Sequence, residues 1–400
     1  MSDRRKERNS LVILRLALRN IKEGGLRTYL NVAALVLVIL LIIGFQGLFD
    51  GMLASTTRAM IEDEVAGGQF WHENYDPYDP LSIEDSHGRI PEKLRNSIKE
   101  GEAEPVLIRL GTIYPQGRMQ TALIRGIDPK QKVLSLPTET LLTENTDLPV
   151  MIGTRMARNM KLKEGESLII RWRDSKGTFD AAEGRIVSIM NTQVPAIDEG
   201  NLWVPLDRLQ EMTALPGEAT IIIMGSDTDG HTSSSGWNFR SRDHLMSDIR
   251  EIVRTKRISS LIIYLILLFS GMLAIFDTQV LSLFRRRREI GTLIALGMTR
   301  QQVIALFTLE GMLYGIIALA VSILLGLPLL FYLTSEGIAL PEIIDSYGIA
   351  MGERLYPVYS FELVAGTVIL IMSVVTVVSF IPTRTIARLN PTQAIQGKIT

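Results

Sequence analysis

The chain has no cysteine, which excludes disulfide frameworks, iron–sulfur clusters and thiol catalysis. It also lacks a P-loop. That motif needs glycine, four residues, then Gly-Lys-Ser/Thr, so that backbone N–H groups cradle phosphates. The nearest approach, Gly397-Lys398-Ile399-Thr400, has no leading glycine and no following helix. No G-x-S-x-G or H-E-x-x-H occurs, and the four histidines (His72, His87, His231, His244) are scattered without the spacing of metal ligands. We therefore expect no catalytic residue, no metal, no cofactor bound by this chain and no nucleic-acid partner. Neither sign of charge predominates, with 42 Lys+Arg against 43 Asp+Glu. That balance conceals a segregation by position.

What the sequence does have is long apolar runs. With 46% hydrophobic residues among 400 and a positive mean hydropathy, it reads as a membrane protein carrying one sizeable soluble part. The organising stretch is Phe284 to Gln302, FRRRREIGTLIALGMTRQQ, which joins the apolar runs Ile258 to Phe276 and Val303 to Leu333. Four consecutive arginines, Arg285 to Arg288, do not belong in hydrocarbon, where one charge at a helix centre costs about 2.5–3.5 kcal/mol. They predict a polar loop on the cytoplasmic side. Within it Ile290, Leu293, Ile294 and Leu296 recur at helical spacing, and Gly297 is a plausible stop. A short helix exposed to the cytoplasm between two spans is expected.

The rest of the chain follows from that anchor. The N-terminus is basic (Arg4, Arg5, Lys6, Arg8), and between Leu11 and Lys22 a helical projection groups Ile13, Leu14, Ala17, Leu18 and Ile21 beside Arg15, Arg19 and Lys22. This is the pattern of a helix in the membrane interface. Leu30 to Phe49 provides about 20 residues, enough to span the hydrocarbon, and reads as an uncleaved anchor with the N-terminus inside. The insert that follows alternates strand-like segments (Val106 to Leu110, Thr121 to Arg125, Ser167 to Trp172, Arg185 to Met190, Leu202 to Val204, Ala219 to Met224) with short helices at EKLRNSIKE, Gly153 to Asn159 and RLQEMTAL. DSKGTFDAAEG reads as a hairpin, Gly230 to Asn238 as a Ser/Gly-rich loop, and His244 to Arg257 as a charged helix.

The expected fold is an α-helical membrane protein with four transmembrane helices and a large α+β extracytoplasmic domain between the first and second. Its boundaries are 1–29 cytoplasmic amphipathic helix, 30–50 first span, 51–257 soluble domain, 258–284 second span and 285–302 cytoplasmic helix. Then come 303–333 as third span, tilted or broken at Pro328, 334–360 outer loop, 361–381 fourth span and 382–400 cytoplasmic tail. The outer loop is acidic, with Glu336, Glu342, Asp345 and Glu353. Two acids sit near the cytoplasmic ends of spans, Asp277 and Glu310, and pairing with the arginines is expected for both, with a proton or ion relay as the alternative.

RRRREIGTLIALGMT followed by an apolar span bearing Glu310-Gly311 resembles the signature of the FtsX-like ABC transporter permeases. PTRTIARLNPTQAI, with Pro382, Ala387, Pro391 and Ala394, resembles that family's closing stretch, with Ile395 where leucine is usual. In the insert, IRGIDPKQK, VMIGTRMARNMKLKEGESLII and LWVPLDRLQ are similar to the LolC/LolE type of the MacB/LolC/LolE group, although DSKGTFDAAEG is shorter than the chaperone-binding hook of LolC-like subunits.

The resemblance implies a permease subunit in the bacterial inner membrane, with its large domain periplasmic and both termini cytoplasmic. A separate cytoplasmic ABC ATPase dimer would hold the ATP and Mg. That dimer would dock on the coupling helix at Arg288, Glu289, Ile290, Gly291, Leu293, Leu296, Gly297 and Met298. A second permease subunit, the same chain or a homologue, completes the assembly. The implied substrate is a membrane lipoprotein, with a periplasmic lipoprotein chaperone as a further candidate partner and membrane lipid around the spans. Its acyl chains would sit between the first and second spans of two permease subunits, at Leu41, Ile42, Phe45, Phe49, Met52, Ile258, Leu261, Ile262 and Leu265. A MacB-like efflux permease and an FtsX-like regulator of a cell-wall hydrolase are the alternatives.

Overall fold

A computed structural model of the chain describes residues 2–143, 148–192, 194–225, 236–339 and 354–386. Residues 230–235 of the expected Ser/Gly-rich loop, with His231, most of the acidic outer loop and the closing stretch from Ala387 lie outside them, while Trp237 and Asn238, expected in that loop, are strand. In chain order the elements begin with α1 (Ser2–Glu23), α2 (Leu26–Met60), β1 (Gly68–His72), β2 (Gly88–Arg89), α3 (Glu92–Glu100), β3 (Ala103–Ile113), β4 (Gln120–Ile127), β5 (Pro149–Gly153) and α4 (Thr154–Met160). They continue with β6 (Ser167–Arg173), β7 (Phe179–Met190), α5 (Pro195–Asp198), β8 (Asn201–Pro205), α6 (Leu206–Thr213), β9 (Glu218–Ala219), β10 (Ile221–Met224), β11 (Trp237–Ser241) and α7 (Arg242–Leu245). Then come α8 (Ser247–Arg285), α9 (Arg287–Ala295), α10 (Arg300–Glu336), the two-residue strands β12 (Ile338–Ala339) and β13 (Arg354–Leu355), and α11 (Phe361–Ile386).

Four helices, α2, α8, α10 and α11, contain stretches long and apolar enough to cross a membrane, and the sheet lies in the chain between the first and second of them. The protein is a multi-pass membrane protein of the expected class. It divides into a helical unit (the chain up to Met52, Arg254 to Ala339, and Leu355 onward) and a sheet-bearing unit centred on Leu53 to Val253.

In the helical unit the core is formed by Leu35, Ile39, Ile42 and Ile43 of α2, Tyr264 of α8, Tyr314 and Ala318 of α10, and Ile371, Val375 and Val378 of α11. Close approach of α10 to α11 depends on Gly311, where a Cβ would collide with Ser379 Oγ. Small residues at such crossings let backbones touch where lipid supplies no hydrophobic drive. Helix α10 runs unbroken through Pro328, so of the two expectations there, a tilt or a break, the break is absent. Proline is tolerated in membrane helices because neighbouring groups satisfy the freed carbonyl. Helices α2 and α8 are also longer than the spans anticipated, at 35 and 39 residues.

The sheet unit is more closed than its alternating elements suggested. Strands β3, β4, β8, β5, β7 and β6 hydrogen-bond in that order, and β6 pairs back onto β3 through Gly111↔Trp172 and Ile113↔Ile170. The six strands therefore form a closed barrel with no free edge. Strand β6 shows the two-residue period that makes this work: Leu168, Ile170 and Trp172 point inward, and Ile169, Arg171 and Arg173 outward. The interior is filled by Leu107, Ile124, Val150, Ile152, Ile186 and Val204, with Met156 of α4 and Leu209 of α6 packed against them. Strands β10, β1 and β11 extend the sheet from the start of β3.

Strands β1, β2, β5 and β11 were not anticipated. The predicted hairpin DSKGTFDAAEG is in fact mostly strand, since β7 begins at Phe179 and pairs Phe179 with Arg173. Only a turn remains, in which Asp174 Oδ1 accepts hydrogen bonds from the backbone of Lys176 (2.9 Å) and Thr178 (2.7 Å).

One carboxyl in this unit is buried without a counter-charge. Glu104 on β3 is 4% exposed and accepts a single backbone hydrogen bond from Asp128 (2.8 Å). Burial pushes its pKa up to about 8, Asp128's charge adds to the rise, and that hydrogen bond partly opposes it. A carboxyl with a raised folded pKa binds its proton more tightly when folded. Its contribution is thus complete below about pH 4.5 and lost as pH climbs through 8. We expect Glu104→Gln to raise the thermal midpoint, with a gain over wild type that widens from pH 5 to pH 8. Tryptophan emission reads this unit selectively, because all four tryptophans (Trp71, Trp172, Trp203, Trp237) lie within it. A pH-independent difference would contradict the assignment.

Candidate functional site

The helix between the second and third spans is built from strong local signals. Helix α8 ends at Arg285, and Arg286 breaks the helix with φ −97° and ψ 14°. Helix α9 then closes on Gly297 at φ +99°, a conformation that favours glycine. The Met298 N–H donates to Leu293 C=O (3.0 Å) and the Gly297 N–H to Ile294 C=O (3.0 Å), which satisfies the last carbonyls. Helix α10 starts on a capping box, in which Thr299 Oγ1 accepts from Gln302 N and Gln302 Oε1 from Thr299 N. The short α9 is thus set between two defined stops and cannot slide in register. It ends at Ala295 rather than at Met298, because Gly297 takes the backbone out of helical geometry.

One face of α9 is anchored. Ile290 is 3% exposed and packs with Ala17 of α1 and Val303, Leu306 and Phe307 of α10, and Leu293, Ile294 and Met298 border the same cluster. Ile290 and Gly291 are buried on the anchored side of the helix. The open face carries Glu289, Thr292, Leu296 and Gly297, and Leu296 is 80% exposed. Arg288 lies on the same helix.

Helix α1 also departs from expectation. Ala17 and Ile21 are buried, with Ile13 and Leu16 against the bundle, so that face belongs to the protein core. Leu14 and Leu18 stay exposed beside Arg15, Arg19 and Lys22.

The arginine quartet is not uniformly solvated. The Arg286 side chain turns inward and is 15% exposed. Its Nη1 donates to both carboxylate oxygens of Glu310 at 3.0 Å, its Nε donates to Glu289 at 2.6 Å, and its guanidinium stacks 5.0 Å from the Phe307 ring centroid. Glu310 also accepts from Asn20 Nδ2 (3.2 Å) and Tyr314 OH (3.3 Å). Burial works against the charged guanidinium, but the Glu310 and Glu289 carboxylates outweigh it, and its pKa lies above the ordinary value. The network ties α1, the α8–α9 junction and α10 together.

Glu310 was expected to pair with the arginines and does so. Asp277 is exposed on α8 and has no ion pair among the described residues, so the pairing expected for it is not found. Arg286, Asn20 and Tyr314 were missed as site residues. A glutamate two to three turns into an apolar span was the available signal, since it demands a cation and hydrogen-bond donors nearby.

At the other end of the bundle, α2, α8 and the start of α11 enclose a cavity of ≈ 600 Å³ lined by residues that include Phe49, Ile258 and Leu261. Of the other proposed cleft residues, Leu41, Ile262 and Leu265 are exposed on the helix surfaces, and Phe45 and Met52 are half-buried. Ile42 is 1% exposed inside the bundle core, in the same cluster as Tyr264 of α8.

Four apolar helices, a short helix between the second and third of them and a sheet domain inserted between the first and second define a class: multi-pass membrane proteins with one large insert. Residues 261–391 match the family described as FtsX-like permease C-terminal. Over 132 residues the chain is 30% identical to an uncharacterized ABC transporter permease of Methanocaldococcus jannaschii. That alignment covers 33% of this chain and 30% of the relative, so it spans less than a third of the relative's length.

If the Arg286–Glu310 pair is the anchor, removing one partner strands a buried charge. Glu310→Leu is expected to cost about 3–5 kcal/mol of stability, and Glu310→Leu with Arg286→Met to cost less than the sum of the two single variants. Unfolding of the detergent-solubilised protein by heat or SDS gives the cycle. Additive losses would show that the two residues are not coupled.

Proposed function

We propose that the chain is the permease subunit of an ABC transporter of the mechanotransmission type. In this reading a separate cytoplasmic ATPase dimer binds ATP and Mg and docks on α9, and this chain itself hydrolyses nothing. The observation that carries the proposal is the two-sided character of α9. One face is locked to α1 and α10 by Ile290 and the Arg286–Glu310 pair, and the other presents Leu296 to a partner. A helix packed in this way passes on a displacement as a rigid element, because packed interfaces switch between arrangements and do not deform smoothly. Helix α8 begins at Ser247 and reaches the α8–α9 junction in one unbroken length, about 60 Å at 1.5 Å per residue. It would carry that displacement across the membrane.

The substrate we infer is a lipoprotein anchored in the bacterial inner membrane, which this subunit would extract toward a periplasmic carrier together with a second permease copy or homologue. The cavity beside Phe49, Ile258 and Leu261 supports this reading, since its volume and apolar wall suit acyl chains. Extracting one chain costs about 0.8 kcal/mol per CH₂, which accounts for a coupled energy source. The family match carries as far as a permease. MacB-like efflux and hydrolase regulation are the competing readings. Mass spectrometry of the membrane-extracted complex separates them: a triacylated protein supports lipoprotein release, and a bound hydrolase overturns it.

Coupling is tested at Leu296, which makes no packing contribution to the core. Leu296→Asp is expected to leave membrane insertion intact and to reduce substrate-stimulated ATPase of the assembled complex about tenfold, the scale of an interface anchor. Unchanged stimulation would show that α9 is not the docking point.

A further inference from the structure

We propose that the cavity between α2, α8 and α11 binds a phospholipid whose headgroup carries both a phosphate and a primary amine. The cavity has two chemistries. Its apolar side is Phe49, Ile258 and Leu261. Its other side carries three charges, Asp50 from α2, Arg254 from α8 and Glu362 from α11. On α8, Arg254, Ile258 and Leu261 follow one another at i, i+4 and i+7, so one face passes from charge to hydrocarbon. Asp50 adjoins Phe49, and Glu362 lies in the first turn of α11, where Ser360 Oγ accepts a hydrogen bond from Leu363 N (3.1 Å). Below the rim the wall is closed by Tyr264, which is 8% exposed, and by the hydrogen bond from Thr367 Oγ1 to Gln46 Oε1 (3.1 Å).

Among the described residues none of the three charged side chains forms an ion pair, although they border one cavity. An arginine fork matches a phosphate, and two carboxylates match an ammonium that donates several N–H bonds. A lipid offering the phosphate, the amine and two acyl chains satisfies every surface of the cavity at once. An anionic phosphatidylglycerol would meet two acids with one arginine. A choline lipid has no N–H to donate. The inference rests on the cavity being a place for acyl chains, as in the proposed function, but not on a lipoprotein being the cargo.

The test uses the full-length protein reconstituted into bilayers of equimolar phosphatidylethanolamine, phosphatidylglycerol and phosphatidylcholine, released gently and examined by native mass spectrometry. Phosphatidylethanolamine is expected to be retained about tenfold over each of the other two, the effect of one well-formed charge-assisted contact. Asp50→Asn with Glu362→Gln should abolish that preference while leaving total bound lipid unchanged, and Arg254→Gln should lower retention of both phosphatidylethanolamine and phosphatidylglycerol. An unchanged thermal midpoint checks that each variant folds. Lipid retained without headgroup preference would overturn the inference and leave the acyl-chain reading standing. No retained lipid would overturn both.

Discussion

A guanidinium and a carboxylate buried at the end of an apolar bundle constrain everything near them. Glu310 sits on α10 with little access to water, and Arg286 must reach it from the α8–α9 junction. Desolvating both charges is costly, so the pair is tolerable only with good geometry and with its remaining oxygen and nitrogen valences filled. Asn20, Tyr314 and Glu289 fill them. As a result the break between α8 and α9 falls at Arg286, α1 is held against α10, and α9 leaves the bundle at one angle. The net worth of such a pair lies less in stability than in fixing a single arrangement.

That arrangement gives α9 its two faces. Ile290 and Leu293 continue the anchoring begun by Arg286, and Gly297 ends the helix before its exposed side can be drawn into the core. At the opposite end of α8 the same helix changes from apolar to charged across Ile258 and Arg254, where the cavity lies. One rod therefore leads to the half-anchored, half-open α9 at one end and forms a wall of the cavity at the other. The sheet unit solves a separate problem, since barrel closure through β3 and β6 leaves six strands without an edge open to aggregation.

Much of the architecture was legible because bilayers impose severe rules. The spans followed from run length, and the helix stop from Gly297. Strands with strict alternation, such as Ser167 to Arg173, were equally visible. Strands β1, β2, β5 and β11 were not. Each is short, and β5 is buried on both faces, so it shows no alternation to read. The stretch after Asp174 looked like loop because Gly177 and the acidic and alanine residues hide a strand that is held by its partner β6.

By itself the sequence determined the membrane class, the number of spans, the place of the insert and the existence of a helix between the second and third spans. These depend on composition and local periodicity, which act over a few turns. Only the tertiary structure decided which arginine of four turns inward, that Ile42 and Ile290 are core residues, that β6 returns to β3, and that Asp50, Arg254 and Glu362 share one cavity. Each of those is a contact between residues far apart in the chain. Periodicity says which face of an element is apolar, but only packing decides what that face meets.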